Sequence, residues 1–182
     1  MEDNGVTVIR KTETKDLESI MPIFSEARKT IASLGIDQWQ NGYPSRSVIE
    51  QDIDKEQSYC VIVGEKICAT FAILLYGEPT YDEIFDGKWL TGDEKGQYLA
   101  IHRVAIALSS RGSGLSGKII EYAAELAGFL GKRSLRIDTH EGNVVMRRML
   151  EKNGFIHCGT IFLNDGDKRV AYEKLLEQGD LI

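Results

Sequence analysis

Ser110-Arg111-Gly112-Ser113-Gly114-Leu115-Ser116-Gly117-Lys118-Ile119 joins two segments of different period. Before it, Gln97 to Ala107 is an apolar run with the character of a strand; after it, apolar residues recur at helical spacing from Ser113 to Leu130. Glycines at such a turn let the backbone approach a ligand closely, and the free amides and positive end of the helix favour phosphate oxygens. A phosphate-bearing ligand is the functional reading. The competing one is an ordinary strand-to-helix turn that uses glycine for its dihedrals.

Toward the N-terminus, Tyr59 to Val63 and Ile67 to Leu75 flank a Gly64-Glu65-Lys66 turn and read as a hairpin. Val6 to Arg10 reads as an opening strand. Asp16 stands as an N-cap for the helix that follows and Gly35 as its stop, and Ser45 caps a second short helix. Trp39 and Gln40 lie in the turn-rich stretch between the two helices. Gly77 to Gly96 is polar, carries Glu78, Asp82, Glu83, Asp86, Asp93 and Glu94, and is expected as a long loop with a helical turn. Toward the C-terminus come a strand at Ser134 to Thr139, a helix from Asn143 to Lys152, a stop at Gly154, and strands at Phe155 to Leu163 and Arg169 to Leu175. This mixed order predicts one α/β sheet flanked by helices, and no shift of composition marks a second domain within residues 1–182.

The 182 residues, 42% hydrophobic and 27% charged, suit a globular domain with a full core. No run approaches the ~20 apolar residues of a membrane span, and the first residues lack the pattern of a secretory signal, so the expectation is a cytoplasmic protein without membrane contact. Three cysteines and three histidines show no ligand spacing, and no metal site is expected. The net charge of -6 argues against a nucleic-acid partner. Charge is uneven: residues 102–152 carry nine basic and five acidic residues, and the remainder has a balance of -10. One part suits an anion and another a cation.

Which phosphate the glycine turn suits is narrowed by spacing. Gly112 to Gly117 satisfies GxGxxG, and Asp138 ends the next strand where a ribose-binding acid would stand in a dinucleotide-binding protein. Too little chain follows Asp138 for the rest of such a fold. Gly112 to Lys118 also approaches the P-loop pattern, but Ile119 occupies the position whose hydroxyl would bind magnesium.

Arg111-Gly112-Ser113-Gly114-Leu115-Ser116 resembles the acetyl-CoA pyrophosphate loop of the GCN5-related N-acetyltransferase (GNAT) superfamily, R/Q-x-x-G-x-G/A, with Ser116 departing at the last small position. Ile101 to Ile106 resembles the strand entering that loop, and Asn143 to Phe155 the later helix ending in G-F. The resemblance implies a mixed, mostly antiparallel sheet of about seven strands, splayed between strands 4 and 5, where the pantetheine arm of acetyl-CoA enters. It implies cofactor contacts from backbone near Val104 and Ile106, from the amides of Arg111, Gly112, Ser113, Gly114, Leu115, Ser116 and Gly117, and from Asn143, which also reads as a plain N-cap. It places the acceptor pocket near Trp39 and Gln40, where the indole reads equally as a loop anchor.

The activity implied is acetyl transfer to a primary amine by direct attack in a ternary complex. An alkyl ammonium, with a pKa near ~10.4, must first lose a proton. His102 is the candidate base, since strand alternation puts it on the side of Val104, with Tyr98 next in line at the same parity. Leu150 stands where the family often has a tyrosine acid, and Tyr98, Tyr172 and Cys158 are the substitutes. That departure keeps open a non-catalytic acyl-CoA sensor. The acceptor, whether a small amine or a protein N-terminus, and the oligomeric state, a homodimer included, are left open.

Overall fold

Each apolar run finds its partner within a few residues of the expected bounds. A computed structural model of the chain describes residues 6–92 and 96–176. Seven strands lie in one mixed sheet in the order β1-β2-β3-β4-β5-β7-β6. By contact density the chain divides into two compact units, residues 1–73 with 103–119 and residues 74–102 with 120–182.

In the first unit, β1 (Thr7–Lys11) pairs antiparallel with β2 (Ser58–Val63), which pairs antiparallel with β3 (Lys66–Leu74). The amphipathic helix α1 (Leu17–Ala32) buries Leu17, Ile20, Phe24 and Ala27, spaced by three and four residues, against Ile49 of α2 (Arg46–Asp54) and Ala105 of β4 (Tyr98–Ile106). Each large apolar side chain so buried contributes about 1.5–3 kcal/mol. Ser45 caps α2 as expected, its hydroxyl accepting from the amide of Val48 at 3.3 Å. Asp16 does not cap α1 with its side chain. Its Oδ2 accepts from the Glu13 amide at 2.8 Å, capping the 3-10 turn Thr14–Asp16 that leads into α1, and both carboxylate oxygens accept from Arg10, six residues earlier, at 2.7 and 3.0 Å.

In the second unit, the start of β4 pairs in parallel with β5 (Ser134–Thr139) over Tyr98↔Ser134, Leu99↔Leu135 and Ala100↔Arg136. Three residues of β4's nine are thus held in this pairing. β5 pairs antiparallel with β7 (Lys168–Leu175), and β7 with β6 (Ile156–Phe162), which follows α4 (Val144–Lys152). The helix α3 (Leu115–Phe129) begins after the second glycine of the turn and not at Ser113, because Gly112 and Gly114 both have positive φ.

The polar segment from Gly77 is a long loop with one helical turn, as expected, the turn being a 3-10 helix at Pro79–Tyr81. Asp93 and Glu94 lie outside the described residues; Asp82, Glu83 and Asp86 are exposed, whereas Tyr81, Trp89 and Thr91 are buried and Phe85 bridges to Thr160 of β6. Gly87 is pressed so close to the β6 backbone that an added Cβ would fall 1.9 Å from the Cys158 carbonyl oxygen. A charged network fixes the segment's far end. Glu173 accepts from Arg136 at 3.0 Å, from Ser134 and Thr91 hydroxyls at 2.6 Å each, and from the Leu90 amide. The Arg136 guanidinium lies over the rings of Trp89 and Tyr98, at 4.2 and 4.0 Å from their centroids.

Candidate active site

After β4 a single 3-10 turn, Leu108–Ser110, precedes the glycines, anchored where Glu26 accepts from the Leu108 amide at 2.9 Å. Gly112 (φ 78°) and Gly114 (φ 81°) then turn the chain into α3, and space is open in the direction each Cβ would take. Residues 111–114 are exposed. The first bond of α3 runs from the Lys118 amide to the Gly114 carbonyl at 3.3 Å, so the amides of Leu115, Ser116 and Gly117 precede the first amide that donates within the helix. These features suit a pyrophosphate: reachable backbone, the positive end of a helix, and no side chain in the way. The Arg111 amide is committed to the Leu108 carbonyl at 3.4 Å and so differs from the amides that follow. Val104 and Ile106 are partly buried on the strand that feeds the turn, and their neighbour Ala105 is in the core. Asn143 is an N-cap: its Oδ1 accepts from the Met146 amide at 3.2 Å.

His102 sits on β4 in a setting that no motif announced. Its Nε2 lies 3.4 Å from Glu78 Oε2, and the ring of Tyr81 stacks on the imidazole with centroids 5.8 Å apart at 23°. The Tyr81 hydroxyl donates to Asp138 Oδ1 at 2.7 Å, and the Glu78 amide donates to the Tyr98 hydroxyl at 3.0 Å. Burial, and then the charge of Asp138, push the Tyr81 phenol well up, and burial also raises Tyr98 and Asp138, the last partly offset by the Tyr81 hydrogen bond. Glu78 and Tyr81 were missed by sequence reading because they belong to the polar loop. Asp138, the ribose-binding acid of the dinucleotide reading, is occupied by Tyr81.

The alternation that carried parity from His102 to Val104 is interrupted, since Arg103 between them has φ 54°. Arg103 pairs with Asp52 at 2.7 Å and donates to the Tyr43 hydroxyl at 2.6 Å. Tyr98, Ala100 and His102 lie upstream of that break, and their shared parity holds.

Trp39 packs on the α1 core, edge-on to Phe24 with centroids 6.1 Å apart. The Gln40 amide donates to the carbonyls of Arg28 and Gln38. Both therefore anchor their loop, with part of the indole left accessible. Leu150 is fully buried. Of the substitute acids, the Tyr172 hydroxyl is held by Arg147 at 3.1 Å and Glu151 at 3.3 Å, and burial pushes the Cys158 thiol up to about 11. Among the described residues no group of three or more His, Cys, Asp or Glu could hold a metal ion, and no helix is long and apolar enough to cross a membrane.

Comparison with known proteins agrees with this geometry. The family model described as the acetyltransferase (GNAT) family matches residues 19–155. A GNAT-family acetyltransferase from Streptococcus agalactiae shares 36% identity, with 94% of this chain and 96% of that one covered and a TM-score of 0.86. A GNAT-family acetyltransferase from Listeria monocytogenes has the same fold at 18% identity, with 93% and 95% covered and a TM-score of 0.70. The structure of yncA from Salmonella typhimurium, with its cofactor acetyl-CoA, superposes at a TM-score of 0.60 and 14% identity over 94% and 95% of the two chains. No curated protein matches at a significant level. The chain belongs to the acetyltransferase (GNAT) family. Its cofactor is acetyl-CoA, the acyl donor of that family.

Proposed function

We propose that the protein is an N-acetyltransferase in which His102 takes a proton from a primary amine. The observation that carries the reading is the open glycine turn at the start of α3, whose first glycine, Gly112, follows His102 by ten residues. The amides of Gly112 to Gly117 hold the pyrophosphate, backbone near Val104 and Ile106 holds the pantetheine arm, and Asn143 contributes from the start of α4. Acetyl-CoA supplies a thioester carbonyl with a thiolate as leaving group. The amine arrives as an ammonium, gives one proton to the imidazole, and forms a C–N bond as the C–S bond breaks; its second proton leaves to solvent or to the departing sulfur. A water-stable thiolate, with a thiol pKa near ~8.5, tolerates the absence of a dedicated acid at Leu150. The accessible part of Trp39 is assigned to the acceptor.

The test is release of free thiol from acetyl-CoA across amine classes, from small amines and polyamines to peptides with a free N-terminus. Release above the hydrolysis background with any class supports the enzyme. A melting temperature raised by acetyl-CoA with no turnover on any amine would favour the acyl-CoA sensor, the reading that Leu150 keeps in view.

A further inference from the structure

We propose that Glu78 is the positioning residue for the His102 imidazole: it sets the tautomer and stabilises the charge that the ring gains when it takes a proton. This inference rests on the reading of His102 as the base. Three observations make Glu78 more than a neighbour. Its carboxylate is fixed from one side, Oε1 accepting from the Thr80 amide at 3.1 Å and the Thr80 hydroxyl at 2.9 Å. Its backbone is fixed from another, by the bond from its amide to the Tyr98 hydroxyl. The remaining oxygen, Oε2, is the one that faces His102 Nε2.

Nε2 is shielded from solvent although 16% of the His102 side chain is accessible, so the reachable part of the ring is not Nε2. With Nε2 turned to a carboxylate, the tautomer protonated there is favoured, and Nδ1 is the basic nitrogen. When the ring becomes an imidazolium, a carboxylate at 3.4 Å stabilises the added charge more than it does the neutral ring. The Tyr81 ring keeps the imidazole from turning away, and its own hydroxyl is held by Asp138. Among the described residues the other titratable groups around the ring are Tyr81 stacked on it, Tyr98 from β4 itself and Asp138 reached through Tyr81 from β5, all with pKa values raised by burial. Among the described residues Glu78 brings its carboxylate to 3.4 Å from the ring. The preceding residue supports the placement, since Gly77 (φ 92°) would bring a Cβ within 3.2 Å of the Tyr98 hydroxyl.

The experiment follows the imidazole protons of His102 by NMR as a function of pH, assigned by their loss in His102→Gln, together with the pH profile of kcat/KM for the amine. Glu78→Gln keeps an oxygen for Thr80 and removes the charge. The His102 midpoint and the acid limb of kcat/KM are expected to move together to lower pH by about one unit, with KM for acetyl-CoA unchanged. Glu78→Asp retains the charge at a greater distance, and its midpoint should fall between the two; it also carries the test should the Gln variant fail to fold. A His102 midpoint that stays at the wild-type value in both variants overturns the proposal. Failure of the base reading looks different: His102→Gln would then keep its rate and its acid limb.

Discussion

Residues 111–117 and residues 77–92 differ in what they are made of. The glycine turn works through bare backbone: Gly112 and Gly114 have positive φ, open space beside them, and little contact with side chains from elsewhere. The segment between β3 and β4 works through contacts with distant residues, the Glu78 amide with Tyr98, the Tyr81 hydroxyl with Asp138, and the Leu90 amide and Thr91 hydroxyl with Glu173. A ligand gripped by main-chain amides leaves a glycine spacing in the sequence. A reacting side chain held by tertiary contacts leaves no spacing at all.

That difference is open to attack, first at its most heavily loaded point. Glu173→Gln leaves the buried Arg136 guanidinium without its carboxylate, and loss of one partner from such a pair costs about 3–5 kcal/mol. A fall in melting temperature on the order of 10 °C is expected for a chain of this size, with acetyl-CoA affinity of the folded protein unchanged because the glycine turn does not use this network. Burial raises the Glu173 carboxyl, but hydrogen bonds from Ser134, Thr91 and Arg136 outweigh it and hold the pKa below the ordinary value. Stability from this group is therefore fully present above the unfolded pKa of about 4.3 and lost as the pH falls through the folded one. The variant should show a shallower loss of melting temperature in that acid range; equal slopes would remove Glu173 from the account.

The next largest effect falls on catalysis. His102→Gln should lower kcat/KM by roughly 10²-fold and abolish the acid limb of the pH profile, with acetyl-CoA binding by calorimetry near normal. Loss of cofactor affinity in step with rate would merge the two regions that are distinguished here.

At the turn itself, Gly114→Val forces a β-branched residue to φ near 81°, a conformational cost of about 1–2 kcal/mol, although its side chain has room. Acetyl-CoA affinity should fall about tenfold, roughly 1.4 kcal/mol, because the new side chain stands where the pyrophosphate approaches. Calorimetric titration showing undiminished affinity would make the turn structural. The smallest effect belongs to Tyr98→Phe, which removes the hydroxyl that accepts from the Glu78 amide. A stability loss of about 1 kcal/mol is expected, with kcat/KM down a few-fold and the His102 midpoint nearly unmoved, because the charge of Glu78 remains.

Much of the fold was legible because its signals are local. Hydrophobic period gave β2, β3, β5 and α1, the Ser45 cap gave the start of α2, and the glycines gave the entry to α3. Asp16 misled because a local cap competes with any cation that folding brings near, and Arg10 won. Parity along β4 was readable from Tyr98 to His102 and then failed at Arg103, whose positive φ is rare for a side chain of that kind and is sustained by Asp52 and Tyr43. Trp39 could have been a pocket wall or an anchor, and its packing on Phe24 depends on an α1 core that no window around residue 39 contains.

The sequence by itself determined what backbone periodicity and glycine chemistry determine: the order of elements, the sheet, the glycine turn and the family. Tertiary structure alone decided that Tyr81, Trp89 and Thr91 of the segment 77–92 would be buried while its acids Asp82, Glu83 and Asp86 stayed exposed. Only there do Glu78 and Tyr81 meet His102, and Asp138 meet Tyr81, because such contacts join residues 21 to 57 positions apart, and chain separation of that length carries no local signature.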